Sequence, residues 1–263
     1  MAEAALGAAV VAEVPLGGGD LSQVRLLTLA DGREVVLKRA PGAEREAAML
    51  RAISAAGCPA PEVLAEGPGW LAMTRLAAGG RPDADAWQAA GAAVARLHRA
   101  FGDRYGWARD HAFGAVAIEN GEMDDWPAFW AGRRLLPTAR GAPGDIARRV
   151  GALAARLPEV LPLHPPAALL HGDLWAGNLL FGPSGFSGLI DPACYHGHGE
   201  ADLAMLTLFG APPPAFFAGY GPLEAGWQAR RPVYQLWPAL VHLRLFGAGY
   251  RGLVERCLAR AEA

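Results

Sequence analysis

Residues 171–191 read HGDLWAGNLLFGPSGFSGLID, and the order of side chains in this stretch decides how the rest of the chain is read. A polar loop carrying Asp173, Trp175 and Asn178 stands between short apolar runs, ALL ahead of it and LLFG behind it. The second run turns at Gly-Pro-Ser-Gly and returns through FSGLI to Asp191, which predicts a hairpin ending in an acid. Asp173 and Asn178 are five residues apart, and Asp191 follows Asp173 by 18. An acid and an amide in one loop, with a second acid at the end of the next hairpin, outline an active-site loop.

Upstream, VRLLTLADGREVVLK is two β-rich runs joined at Asp31-Gly32, a strong hairpin signal that sets Lys38 at the end of a strand. GAEREAAMLRAISAAG follows with Ala47, Leu50 and Ile53 at helical spacing, acids in its first turn and Gly57 as its cap. PEVLAEG and GWLAMTRL read as two further strands. Residues 1–76 therefore form a small strand-rich unit with one inserted helix. From residue 77 the chain is mainly helical. Trp87, Ala90, Gly91, Val94, Leu97 and Phe101 make one stripe, and Ile146, Val150, Leu153 and Leu157 another. The C-terminal segment reads as helix interrupted at Pro238 and again at 247–249, and region 169–191 is the only stretch expected to break the helices with strands. The fold class is α+β, with a β-rich front lobe (1–76) and a larger, mainly helical lobe (77–263).

Composition narrows the function. The chain has 263 residues, 52% of them hydrophobic and 19% charged, as in a soluble globular protein. It has no apolar run of about 18 residues, and no basic residue precedes its short N-terminal apolar segment, so neither a membrane span nor a secretory signal is expected. These features imply a cytoplasmic protein. A net charge of −2 supplies no basic field for nucleic acid. Cys58, Cys194 and Cys257 lack the spacing of a disulfide framework or zinc site. His196 and His198 have no third ligand nearby in sequence and read as polar loop residues. Of 24 basic side chains 23 are arginine, so Lys38 is the only lysine and a functional candidate. A compact ammonium does what a planar guanidinium fork cannot wherever a pocket is tight.

Phosphoryl transfer needs cationic and backbone donors for phosphates, oxygen ligands for metal ions, and a carboxylate to take the acceptor's proton. A strand-terminal lysine followed by Asp173, Asn178 and Asp191 in this order and spacing resembles the protein-kinase-like superfamily. Taken singly, Asp173 could cap a turn, Asn178 could start a strand and Asp191 before Pro192 could initiate a turn. By the resemblance, Asp173 is the catalytic base, and Asn178 and Asp191 are ligands for Mg²⁺. Lys38 holds the α- and β-phosphates of ATP, steadied by Glu46, with Glu44 the competing partner. Gly18 and Gly19 of LGGGDLS cover the phosphates, and Met73, Thr74 and Arg75 offer backbone groups to adenine.

HGDLWAGN, with Trp after Asp-Leu, resembles the fructosamine/ketosamine 3-kinase family within that superfamily, as do LHRAFGDRYGW, WPAFWAGRRLLP, IDPACYHGHGEADLAMLTLFG and YQLWPALVHLRLFGAGY. These segments extend across nearly the whole chain. The resemblance implies ATP- and Mg²⁺-dependent phosphorylation of the 3-hydroxyl of a ketosamine, the sugar adduct of an amine, free or protein-bound. The labile 3-phosphate then eliminates and frees the amine. Trp175 would stack on the sugar, or pack into the core. Asp202, at a helix start, would support the catalytic loop. A monomer or weak dimer is expected, with no nucleic-acid or membrane partner. Gly199 stands where the family typically has Arg, the middle of the chain is shortened, and the glycine-rich segment lacks the cysteine some members carry. Those departures keep open a kinase of another small hydroxylated metabolite, of the aminoglycoside- or choline-kinase type. A nucleotide-binding protein without catalysis is the remaining alternative.

Overall fold

At Asp31-Gly32 the chain reverses as its sequence predicts. Gly32 takes a φ of 85°, and β2 (Gln23–Leu29) pairs antiparallel with β3 (Glu34–Arg39). The computed structural model describes residues 5–17 and 22–263. In it β1 (Val10–Pro15), β4 (Val63–Gly67) and β5 (Trp70–Thr74) complete an antiparallel sheet of order β1-β2-β3-β5-β4. The edge strand β1 escapes the sequence reading because almost all of its residues are exposed, so it lacks the inward-outward alternation that marks a strand.

Strand periodicity assigns the two faces of this sheet. Val35 and Leu37 join Leu27, Leu29 and Ala72 in one apolar cluster. Leu71 and Met73, on the other face, pack with Val36 and with Ala43, Ala47 and Leu50 of α1 (Ala43–Ala55). Lys38, two residues beyond Val36, therefore faces α1. On α1 the buried positions are Ala43, Glu46, Ala47, Met49, Leu50 and Ile53, which sets Glu46 on the inward face. Gly57 ends the helix with φ 75°, and its N–H donates to the carbonyl of Ser54.

The chain divides into two compact units. One comprises Met1–Arg96, Gly177–Ala193 and Pro213–Tyr220, and the other Leu97–Ala176, Cys194–Pro212 and Gly221–Ala263. The first thus holds α2 (Ala84–Leu97) to Arg96, together with the hairpin of β9 (Leu179–Gly182) and β10 (Gly185–Leu189). That hairpin is held in its own unit by the Leu189 N–H, which donates to Pro59 O at 2.9 Å, and by Phe181 against Trp87, ring centroids 4.8 Å apart.

The second unit is mainly helical. It contains α3 (Trp126–Phe129), a π-helical turn at Trp130–Leu135, α4 (Leu136–Ala139), α5 (Gly144–Val160) and α6 (Glu200–Leu206). Helix α7 (Pro214–Tyr220) belongs to the first unit, and α8 (Trp227–Phe246) and α9 (Arg251–Ala261) complete the second. The predicted stripe of α5 is buried at Ile146, Val150, Leu153 and Leu157. Helix α8 runs unbroken through Pro238, contrary to the sequence expectation. Burial of every residue from 232 to 241 stabilises the continuous helix against the loss of one backbone donor at Pro238, and the chain breaks only at Gly247, where φ is 81°. Phe101 lies beyond α2 and is 62% exposed, not part of its buried stripe. Strand β8 (Ala168–Leu170) opens the expected region 169–191, but strands also occur outside it: β6 (His111–Phe113) pairs with β7 (Val116–Ile118), and β11 (Tyr195–Gly197) pairs with β8. At three residues each they are too short to show a period. Among the described residues no helix is long and apolar enough to cross a membrane.

Candidate active site

In the first unit, Lys38 is where the charges converge. Its ammonium donates to Glu46 Oε2 at 2.5 Å and to Asp191 Oδ1 at 2.8 Å. Glu44, the competing partner, is turned elsewhere and accepts the Gly69 N–H at 2.9 Å. Lys38 and Glu46 are only 9% and 5% exposed, whereas the Asp191 side chain is 49% exposed. Burial pulls the lysine pKa down, but the Glu46 and Asp191 carboxylates outweigh it and hold the ammonium above the ordinary lysine value. Burial likewise pushes the Glu46 carboxyl up, opposed by Lys38. Oε1 of Glu46 is buried without a hydrogen-bond partner among the described residues.

Asp191 is the one non-glycine residue with positive φ, 53°, among those described. Backbone strain of this kind persists where surrounding structure fixes it, and it collects at functional positions. The fixing contacts come from the hairpin: the N–H of Ile190 donates to the Asn178 carbonyl at 3.1 Å, which ties the residue before Asp191 to the end of the polar loop. Asn178 is buried at the close of the 3-10 turn Ala176–Asn178. An amide and a carboxylate held on one hairpin are hard oxygen donors suited to Mg²⁺, and neither must lose a proton at neutral pH. The residues present fit that ion.

Met73 and Thr74 end β5 and Arg75 follows it. The Thr74 N–H is spent on the Glu62 carbonyl and its hydroxyl accepts from Glu62 N, while Arg75 pairs with Glu34 at 2.6 Å. A base bound here would have to use other backbone groups of this stretch. Gly18 and Gly19 lie outside the described residues.

The second unit holds Asp173 and Trp175. Asp173 is half-buried, its N–H directed at His171 Nδ1 at 3.3 Å, and Trp175 is 43% exposed. What fixes this loop is Asp202, on the first turns of α6. Its Oδ2 accepts from the His171 N–H at 2.7 Å and meets His98 Nε2 at 3.1 Å, and its Oδ1 accepts from the Gly172 N–H at 2.9 Å. Asp202 is 2% exposed and His98 7%. Sequence reasoning placed Asp202 in this supporting role but missed His98. The available signal was a histidine one residue beyond Leu97, at the end of an apolar helical stripe where a polar side chain needs a buried partner.

His196 lies in β11, whereas His198 falls in the short connection from β11 to α6, a loop position as expected but a buried one. It is 3% exposed, and the fold brings Glu200 and Glu224 to it. The indole N–H of Trp126 donates to the Tyr234 hydroxyl at 2.9 Å, and that hydroxyl shares a hydrogen bond with His198 Nδ1 at 2.8 Å. Burial, then the neighbouring Arg230 and His98, lower its pKa to about 3. Arg230 pairs with Glu200 through two bonds, at 2.7 and 2.5 Å, and lies 3.8 Å from Glu224. Its guanidinium thus supplies positive charge to both carboxylates. His196 is half-buried beside Trp107, ring centroids 5.6 Å apart.

A fructosamine kinase family profile matches residues 3–262, nearly the whole chain. The chain belongs to the fructosamine kinase family. A fructosamine-3-kinase homologue from Thermobifida fusca superposes with a TM-score of 0.91 at 33% identity, covering 99% of this chain and 96% of that one. A probable ketoamine kinase of Lactiplantibacillus plantarum is 33% identical over 263 residues, 93% of this chain and 92% of that protein. One from Synechocystis sp. is 40% identical over 190 residues, 68% of this chain, and that match spans 63% of the relative's length. The two-lobed, kinase-like α+β fold expected from the sequence is the fold of this family.

Proposed function

We propose that this fructosamine kinase family member is an ATP-dependent kinase that phosphorylates the 3-hydroxyl of ketosamines, fructosamine- or ribulosamine-type adducts on free or protein-bound amines. The observation that carries the reading is Lys38 joined to both Glu46 and Asp191, at 2.5 and 2.8 Å, on the hairpin that follows HGDLWAGN. Lys38, steadied by Glu46, holds the α- and β-phosphates as a point charge. Gly18 and Gly19 cover the phosphates, and Met73, Thr74 and Arg75 border the adenine. Residues 1–76 act as the nucleotide-binding lobe and 77–263 as the catalytic and substrate lobe.

Asn178 and Asp191 hold Mg²⁺, which when bound neutralises charge on the phosphate oxygens. Asp173 orients the acceptor hydroxyl and takes its proton as the oxygen bonds to the γ-phosphorus and the bond to the β-phosphate oxygen breaks, releasing ADP. Trp175, partly exposed two residues on, stacks on the apolar face of the sugar. Elimination of the 3-phosphate then returns the free amine, so the protein acts in deglycation. We place it in the cytoplasm, as a monomer or weak dimer.

A panel of fructosamines, ribulosamines, plain amines, aminoglycosides and choline-like alcohols, assayed for ATP consumption, tests the substrate. Ketosamines should be consumed, followed by slow release of phosphate and amine. Inert ketosamines beside a phosphorylated aminoglycoside or choline-like alcohol would overturn the assignment.

A further inference from the structure

Lys38 is also the only side-chain amine in the chain, against 23 arginines. An aldose modifies an amine when the nitrogen lone pair attacks C1. Water leaves to give an imine, and the C2 hydrogen then shifts to C1 through the enol, yielding a ketosamine without any oxidant or reductant. A guanidinium does not enter this sequence, because its nitrogen electrons are delocalised and it stays protonated. Exposed positive charge is carried by arginine, for example at Arg140, Arg148, Arg156 and Arg260. The one ε-amine is enclosed: its side chain is 11% exposed, and Nζ lies between Glu46 Oε2 and Asp191 Oδ1. A carbinolamine at Nζ would put a whole sugar beside those two carboxylates, and forming it would require Nζ to leave Glu46 Oε2 and Asp191 Oδ1.

We propose that the fold shields the one side-chain amine, so that aldose glycation at Lys38 in the folded protein is far slower than at an exposed lysine. A catalyst of amine repair would then persist in the sugar-rich surroundings that create its substrates. The inference goes beyond the substrate reading and stands without it, since it concerns the chain's own amines.

The test is incubation of the whole protein with ribose in the absence of nucleotide, followed by intact-mass and peptide mass spectrometry. Arg148→Lys and Arg156→Lys, both at exposed positions, provide reference lysines. The expected result is an adduct at the terminus and at each introduced lysine, and modification at Lys38 slower than at the introduced lysines by at least about tenfold. In urea Lys38 should take the adduct. Modification of Lys38 in the folded protein at the rate of the introduced lysines would overturn the proposal, and so would a Lys38 that stays inert when unfolded, since enclosure would then not be the cause. Neither outcome bears on the ketosamine panel, so the two readings fail separately.

Discussion

Lys38, Glu46 and Asp191 in the first unit form a cluster of charges left partly open, whereas Asp202 with His98, His171 and Gly172 in the second forms one that is closed. Asp191 is half exposed on a strained backbone and engages one cation, and Glu46 keeps an oxygen without a partner among the described residues. Asp202 is fully enclosed, and both its oxygens are committed to backbone N–H groups and an imidazole. In the proposed role the open cluster exchanges partners for phosphates and a metal and cannot be fully satisfied beforehand, while a scaffold gains from complete satisfaction. The open cluster should therefore respond to substitution in binding and turnover, and the closed one in stability and loop geometry.

The largest effect belongs to the loop that the closed cluster holds. Asp173→Asn should lower kcat by about 10³-fold with nucleotide affinity nearly unchanged, because the phosphate and metal contacts remain. Steady-state kinetics beside nucleotide titration check this, and near-normal turnover would remove Asp173 from the chemistry. In the open cluster, Lys38→Arg should fail to rescue despite keeping its charge, losing about 10²-fold in kcat/KM with weaker ATP binding. A fully active Lys38→Arg enzyme would sink the phosphate contact.

In the closed cluster, Asp202→Asn puts an amide N–H₂ against backbone donors. Stability should fall by about 2–4 kcal/mol in denaturant unfolding, with kcat reduced and the KM for ATP unchanged. A variant of full stability but weak ATP binding would reverse the contrast between the clusters. The smallest effect concerns His198, four residues before Asp202. Its folded pKa of about 3 lies below the unfolded value of 6.5, so the unfolded state binds the extra proton between them. The stability this provides is present in full above pH 6.5 and is lost as pH falls toward 3, by at most a few kcal/mol. Unfolding free energies across that range should fall less steeply for His198→Gln, and identical slopes would show that His198 protonates in the folded state.

Much of the site was legible in the sequence because each part rests on local chemistry. Asp31-Gly32 forces a turn, alternation along β3 sets Lys38 opposite Val35 and Leu37, and the helical period of α1 turns Glu46 inward while Glu44 points to Gly69. The order of Asp173, Asn178 and Asp191 needs only a loop and a hairpin. What sequence alone determined was thus the identity and order of the charged groups, since turn chemistry and periodicity act within a few residues.

Tertiary structure alone decided the long-range partners. His98 meets Asp202 across 104 positions, and Lys38 meets Asp191 across 153. Glu224 and Arg230 reach His198 and Glu200 to make an ion-pair cluster that no local spacing announces. Pro238 stays helical because the surrounding core repays its missing donor, and the three-residue strands exist only because partners distant in sequence pair with them, as Tyr195 does with Leu170. A local pattern states which side chains need a buried partner, and only the packed chain supplies it, because burial and pairing are properties of contacts between segments.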